Sequence, residues 1–116
     1  MLLFIAFKQF SIAKPYRKEE EIMILIKELD GAQVIKQTKN DGTEKLSTMY
    51  FEEKDGKTIE IQITALAIAK YEDESSYYVF MCDREWNVQD DQQLETVEEA
   101  IAWSEKNFDI TVKEWI

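Results

Sequence analysis

Each of the three glycines in this chain follows an aspartate, in the pairs Asp30-Gly31, Asp41-Gly42 and Asp55-Gly56. Asp-Gly is a leading signal for a tight hairpin turn, because both residues tolerate the positive φ that such turns require. The three pairs lie close together in the first half of the chain. They therefore predict an antiparallel meander whose strands run between the turns.

The segments between and after these turns have the alternation of β-strands. Along residues 58–71, isoleucine and alanine occupy one face of the predicted strand, and the opposite face starts with polar residues. This pattern is typical of a half-exposed antiparallel strand. Leu66 and Ile68 interrupt the polar side, so we expect the far end to be covered on both faces or bulged. Residues 64–71 could instead be helical, because alanine favours helix. The predicted strands are residues 23–29, 32–39, 46–53, 58–71 and 75–86.

The hydrophobic period changes after residue 95. Thr96 and Glu99 match a capping box, in which the hydroxyl and the carboxylate satisfy backbone N–H groups at a helix start. Apolar residues then follow at helical spacing, and residues 108–116 alternate again as a closing strand. The sequence thus predicts an α+β fold of order β-β-β-β-β-α-β. It is an antiparallel meander of five to six strands with one amphipathic C-terminal helix packed on one face.

The first 22 residues differ from the rest. Residues 1–13 are apolar but shorter than the roughly 20 residues that span a bilayer, and they lack the basic start and cleavage site of a signal peptide. The codons for residues 18–23 spell a purine-rich string, as at a bacterial ribosome-binding site ahead of Met23. We therefore interpret residues 1–22 as an N-terminal arm. It is either an extension upstream of the natural start or a loosely attached or helical segment. Residues 23–116 form the single domain.

The composition excludes several kinds of chemistry. The chain has no histidine and a single cysteine, Cys82, so histidine-based triads and zinc sites cannot form within it. No phosphate-binding glycine loop or metal-ligand spacing occurs. We therefore predict no catalytic residue, no metal site and no cofactor. An unpaired cysteine suits a reducing compartment, so the expected location is the cytoplasm, away from the membrane.

The net charge of −10 is unevenly distributed. Residues 72–116 contain 13 acidic and only 3 basic side chains, whereas residues 23–71 are nearly balanced. Phosphate backbones bind clustered lysine and arginine, so nucleic acid is not an expected partner. Acidity concentrated in one half would instead attract a basic protein.

These features favour a small acidic bacterial or phage protein that acts as a non-enzymatic protein-interaction module, of the inhibitor, immunity or accessory type. One alternative is an enzyme that binds a metal ion through carboxylates, and another is a structural or oligomeric subunit. A homo-oligomer is possible. Asp90 and Asp91 are expected in an acidic loop before the helix, and Trp86 is either an exposed anchor or an edge-of-core residue. The candidate partner surface comprises Asp83, Arg84, Glu85, Trp86, Asp90, Asp91, Glu95, Glu98 and Glu99.

Overall fold

A computed structural model of the chain describes residues 10–18, 21–41, 45–108, 110 and 114–116, with the backbone alone for residues 10–24. These residues form an α+β fold with antiparallel sheets and a C-terminal helix, which confirms the predicted class. Within them no helix is long and apolar enough to cross a membrane. The elements are β1 (Phe10–Lys18), β2 (Glu21–Leu29), β3 (Ala32–Gln37), β4 (Ser47–Glu52), β5 (Thr58–Ile63), β6 (Ala65–Lys70), β7 (Tyr77–Cys82), β8 (Val88–Leu94) and α1 (Val97–Phe108).

The strands divide between two sheets. Six of them form one antiparallel sheet in the order β1-β2-β3-β6-β7-β8, and β4 and β5 form a separate two-stranded ribbon. The prediction of one strand over residues 58–71 is therefore wrong, because the segment breaks at Thr64 and serves both sheets. The helical alternative for its second half is also wrong. The expectation that this half is covered on both faces is confirmed, since residues 65–69 are all fully buried.

Thr64 stabilises the corner between the two sheets. Its backbone N–H donates to the Cys82 carbonyl (2.9 Å), and its hydroxyl donates to Asn40 Oδ1 (2.7 Å). The Asn40 side-chain amide in turn donates to the Asp83 carbonyl (2.8 Å). These bonds satisfy polar groups at a bend where the regular pairing of β-strands is interrupted.

Strand β8 was not predicted, and the assignment of Asp90 and Asp91 to a loop is wrong. Both aspartates lie within β8, which pairs antiparallel with β7. Tyr77 is opposite Leu94 at one end of this pairing, and Cys82 is opposite Val88 at the other, with a bulge near Cys82. Its polar composition has low strand propensity. An edge strand tolerates such residues, and charge at an edge discourages pairing with other chains.

The Asp-Gly turns fold in two ways. Asp30 and Gly31 have φ of 47° and 83° and connect β2 to β3 by a two-residue turn, as predicted. Gly56 (φ 86°) instead closes a three-residue loop, in which its N–H donates to the Glu53 carbonyl (2.9 Å). The predicted turn at Asp41-Gly42 lies partly outside the described residues.

Two apolar clusters cover the two faces of the six-stranded sheet. β6 contributes to both, with alanines on one face and Leu66 and Ile68 on the other. Burial of this apolar area is the main driving force for the fold. The cluster on the helix side contains Ile63, Leu66, Ile68, Val79, Met81, Ala100 and Ile110. The opposite cluster contains Ile26, Leu29, Ala32, Ala65, Ala67, Ala69, Phe80, Cys82 and Trp86.

Helix α1 begins with the predicted cap. The Thr96 hydroxyl accepts the Glu99 N–H (3.0 Å), while the Glu99 carboxylate accepts the N–H of Glu95 (3.1 Å) rather than that of Thr96. The buried Ser104 hydroxyl donates to the Ala100 carbonyl (2.8 Å), and Ile101, Trp103 and Phe108 pack against the same core cluster. The predicted closing strand lies partly outside the described residues. Within them, Ile116 exchanges two backbone hydrogen bonds with Gln37, at 2.8 and 3.3 Å.

Part of the predicted N-terminal arm belongs to the large sheet. β1 pairs antiparallel with β2 along its length, so residues 10–18 are a strand and the helical alternative is wrong for them. β2 begins at Glu21, just before the predicted boundary of the domain. The interpretation of residues 1–22 as an extension upstream of the natural start stays a prediction.

The turn between β7 and β8 contains a left-handed tryptophan. Trp86 has φ of 63° and is only 6% exposed. Its N–H donates to the Asp83 carbonyl (3.1 Å), and Asp83 N–H donates to the Asn87 carbonyl (3.1 Å). The loop closed by Gly56 has the same bonding pattern, so Trp86 occupies the position at which glycine is preferred.

The left-handed backbone at residue 86 predicts that Trp86→Gly is more stable than Trp86→Ala, although alanine is normally the less destabilising of the two substitutions. Trp86→Ala and Trp86→Gly both remove the buried indole, at about 3–5 kcal/mol. Only glycine also relieves the left-handed strain, which costs other residues about 1–2 kcal/mol. We expect Trp86→Gly to be the more stable of the two by about 1 kcal/mol in urea unfolding.

The matched control for this pair is Gly56→Ala. A Cβ at Gly56 meets no atom within 4 Å, so its expected loss of about 1 kcal/mol is purely conformational. Greater stability of Trp86→Ala than of Trp86→Gly would show that the left-handed backbone carries no strain at residue 86.

Candidate functional site

The predicted partner surface extends along the whole of β8 and beyond. Arg84 and Glu85 are exposed in the turn before β8. Glu95, Glu98 and Glu99 are exposed after it, at the start of α1. The two groups are separated by the length of a seven-residue strand, about 20 Å. The structure therefore does not bring the predicted residues together as one compact site.

Asp90 and Asp91 are exposed but lie on opposite faces of the sheet. Asp90 is opposite Met81, which faces the helix, and Asp91 is opposite Phe80, on the other face. Neighbouring residues in a strand point to opposite sides, so the two carboxylates diverge. The Asp90 carboxylate also accepts the Asp91 N–H (2.8 Å). Only Asp91 can act together with groups on the face opposite the helix.

Asp83 and Trp86 hold the β7–β8 turn together. The Asp83 carboxylate accepts the N–H groups of Glu85 and Asn87, both at 2.9 Å, and the side-chain amides of Asn87 (3.0 Å) and Gln89 (3.3 Å). Trp86 packs in the core cluster opposite the helix, which is the edge-of-core alternative. Neither side chain is free to contact a partner in this structure.

A compact group of acidic and aromatic side chains lies on that same face. The Tyr71 and Tyr78 rings pack edge to face with centroids 5.5 Å apart, and both tyrosines are partly exposed. The Tyr78 hydroxyl donates to Glu74 Oε1 (2.7 Å). Asp30 and Asp91 interact electrostatically with Tyr71. We call Asp30, Tyr71, Glu74, Tyr78 and Asp91 the tyrosine–carboxylate cluster.

The fold assembles this cluster from separate segments. Asp30 is in the β2–β3 turn, Tyr71 follows β6, Glu74 is in the β6–β7 turn, and Tyr78 and Asp91 are in β7 and β8. Pairing of β3 with β6 brings the first turn beside the end of β6, where a Cβ on Gly31 would lie 3.9 Å from the Tyr71 ring. Phe80 packs beneath both tyrosines, with centroids 6.4 and 6.2 Å from theirs.

The negative charges in the cluster act on one another. Partial burial, and then the Asp91 carboxylate, raise the pKa of Asp30 above its ordinary value of 3.8. Burial and the charges of Asp30, Asp91 and Glu74 raise the pKa of Tyr71. The hydrogen bond to Glu74 is the main reason that the pKa of Tyr78 rises to about 12. Each shift reflects the cost of adding negative charge here.

No cation in the described part of the chain compensates these carboxylates. Asp30, Glu74 and Asp91 form no ion pair there with lysine or arginine. The nearby Lys70 ammonium donates to the Tyr71 carbonyl (3.2 Å) rather than to a carboxylate. Aromatic faces and carboxylates both attract ammonium and guanidinium groups. The cluster is therefore suited chemically to a basic side chain.

The cluster offers little else in chemistry. Among the residues that the structure describes, no three His, Cys, Asp or Glu side chains are arranged to hold a metal ion. Cys82 is buried, and desolvation raises the pKa of its thiol, so the thiolate that would act as a nucleophile is disfavoured.

The sequence alone identified one member of this cluster, Asp91. Asp30 was interpreted only as a turn residue, and Glu74 as part of a solvated acidic turn. Tyr71 and Tyr78 were assigned to strands. The sequence does show two acidic turns, one at Asp30 and one at Glu74. The two turns lie close together only because β3 pairs with β6, and this pairing between distant segments cannot be read from the sequence.

Comparisons with protein-family models, with curated proteins and with solved structures find no match to this chain.

The raised pKa of Asp30 has a consequence for stability. A raised folded-state pKa means that folding favours the protonated carboxyl. This contribution is complete below the unfolded pKa, near 3.8, and is lost as the pH rises through the folded value. At neutral pH the charge is therefore destabilising. We expect Asp30→Asn to raise the melting temperature more at neutral pH than below pH 3.8.

Asparagine tolerates the positive φ of residue 30, so the turn is preserved in this variant. Asp73→Asn, at an exposed aspartate of the β6–β7 turn, is the matched control and should lack the pH-dependent gain. Equal behaviour of the two variants across the pH series would show that Asp30 is not destabilised by its surroundings.

Proposed function

We propose that this protein is a non-enzymatic protein-interaction module that binds a basic partner through the tyrosine–carboxylate cluster. The observation that carries the proposal is the convergence of Asp30, Glu74 and Asp91 around two partly exposed tyrosines without a compensating cation in the described chain. An inhibitor, immunity-type or accessory protein of the cytoplasm fits this description.

The proposal changes the surface that was expected from the sequence. Trp86 leaves the interface because it is buried, and Asp83 because its carboxylate already accepts four hydrogen bonds. Tyr71 and Tyr78 replace Trp86 as aromatic contacts. Glu95, Glu98 and Glu99 remain exposed at one end of β8, where they add to the negative field that a partner meets.

The physical basis is the relief of repulsion by a bound cation. A guanidinium or ammonium over a tyrosine ring gains about 0.5–2 kcal/mol, depending on how far it is desolvated. Hydrogen bonds to the neighbouring carboxylates are charge-assisted and therefore stronger than neutral ones. The remaining acidic residues of the C-terminal half increase the association rate with a basic protein, and salt reduces this effect.

Of the alternatives, no observation favours a metal-dependent enzyme. The carboxylates of the tyrosine–carboxylate cluster surround aromatic rings. In the described residues, no three His, Cys, Asp or Glu side chains are arranged to hold a metal ion. The same negative charges oppose binding of phosphate backbones.

The proposal can be tested with an oligo-arginine peptide followed by NMR. We expect the largest shift changes at Tyr71, Tyr78 and Asp91, and weaker binding as salt increases. Asp91→Asn should weaken binding about tenfold, because the loss of a charge-assisted contact costs about 1.5 kcal/mol.

Glu98→Gln is the control for this experiment, because it removes one exposed charge at a distance from the cluster. It should change the affinity less than Asp91→Asn does. If the peptide shifts resonances evenly over all acidic residues, and both variants lose affinity equally, the charge serves solubility and the cluster is not a binding site.

A further inference from the structure

Strand β8 is an edge of the six-stranded sheet and carries negative charge on both faces. In the described part of the chain it pairs with β7 only, and its residues 90–93 are exposed. Residues 88–99, which comprise β8 and the start of α1, contain five acidic side chains and no basic one. An exposed edge strand is a template for pairing with another chain. β8 is therefore both an open sheet edge and an acidic surface.

The backbone groups that point outward from β8 are those of Asp91 and Gln93. Directly after β7, the Asp83 N–H donates to the Asn87 carbonyl, so odd-numbered residues of β7 direct their backbone groups towards β8. The even-numbered Cys82 instead directs its carbonyl to a backbone N–H on the β6 side, as this alternation requires. The odd-numbered residues of β7 are opposite residues 90, 92 and 94 of β8. The intervening residues 91 and 93 therefore direct their backbone groups away from the sheet.

These outward groups are only partly satisfied within the chain. The Asp91 N–H donates to the Asp90 carboxylate (2.8 Å), and the Gln93 carbonyl accepts the Gln92 side-chain amide (3.2 Å). The Asp91 carbonyl and the Gln93 N–H have no such bond in the described residues. Both bonds that do form come from exposed side chains, which change rotamer rapidly. A further strand can therefore take their place.

We propose that the basic partner binds β8 as an extended strand, added to the open edge of the six-stranded sheet. This inference rests on the proposed function and specifies the conformation of the partner segment. The backbone groups of Asp91 and Gln93 bond to the segment, and its alternate side chains lie on the face of the tyrosine–carboxylate cluster. A basic side chain on that face is one strand spacing from Asp91, about 5 Å, and two from Tyr78, about 10 Å.

The charge of β8 determines which strand its edge accepts. Asp90 and Asp91 project to opposite faces of the sheet, so an added strand meets a carboxylate on each face. Like charges opposite one another destabilise a pair of strands, and opposite charges stabilise it. Pairing of β8 with the β8 of a second copy is therefore opposed by repulsion. A segment that carries arginine or lysine is favoured.

Backbone methylation of a basic peptide tests the strand addition directly. The probe is a short peptide of alternating threonine and arginine, compared with the same peptide methylated at every backbone nitrogen. Both peptides carry the same side-chain charges, but the methylated one cannot donate backbone hydrogen bonds. We expect it to bind the wild-type protein about tenfold more weakly in an NMR titration. The unmodified peptide should also slow hydrogen exchange of the Gln93 N–H.

Proline substitution tests the same contact from the side of the protein. Gln93→Pro removes an outward N–H without removing a bond to β7, and edge strands tolerate proline at such positions. It should weaken binding of the unmodified peptide about tenfold. The matched control is Gln93→Ala, which also loses the side-chain amide but keeps the N–H, and it should bind like wild type. Far-UV circular dichroism verifies that each variant is folded, and the methylated peptide tests the wild-type protein independently of them.

The outcomes separate this inference from the proposed function. Equal affinity of the two peptides for the wild-type protein, or a folded Gln93→Pro variant that binds like wild type, would overturn the strand addition but leave the cluster as a charge-dependent site. Failure of both peptides to bind would overturn the proposed function and this inference together. Self-association of the wild-type protein that Gln93→Pro abolishes would show that a second copy, rather than a basic partner, occupies the edge.

Discussion

The corner at Thr64 is the constraint on which the rest of the architecture depends. There the chain leaves a largely exposed ribbon and enters β6, which is buried on both faces. The backbone can turn there because its polar groups are paired. Thr64 donates to Asn40 and to the Cys82 carbonyl, and Asn40 donates to the Asp83 carbonyl. A buried polar group without a partner would cost about 1–3 kcal/mol. The corner therefore joins a stable two-faced core to a ribbon that has little core of its own.

How far the sequence predicts this fold depends on how local each signal is. The turn at Asp30-Gly31 and the cap at Thr96 rest on neighbouring residues, and both were predicted correctly. The break at Thr64 was missed because its hydrogen-bond partners, Asn40 and Cys82, are 24 and 18 residues away in the sequence. β8 was missed because strand formation there comes from pairing with β7, which outweighs the low propensity of its own residues. The tyrosine–carboxylate cluster required the sheet order itself.

The face that carries Asp30, Glu74 and Asp91 lies in the field of the acidic C-terminal half. A like-charged protein is therefore repelled there, and a basic one is attracted.

Asp30 shows most directly that the fold alone does not explain the cluster. Its positive φ is a requirement of the turn, and asparagine meets that requirement equally well. The carboxylate adds repulsion with Asp91 and raises the pKa of Asp30, so it works against the folded state at neutral pH. Under the proposed function, this charge beside two tyrosines contributes to the binding of a basic partner. A bound cation would convert that local repulsion into attraction.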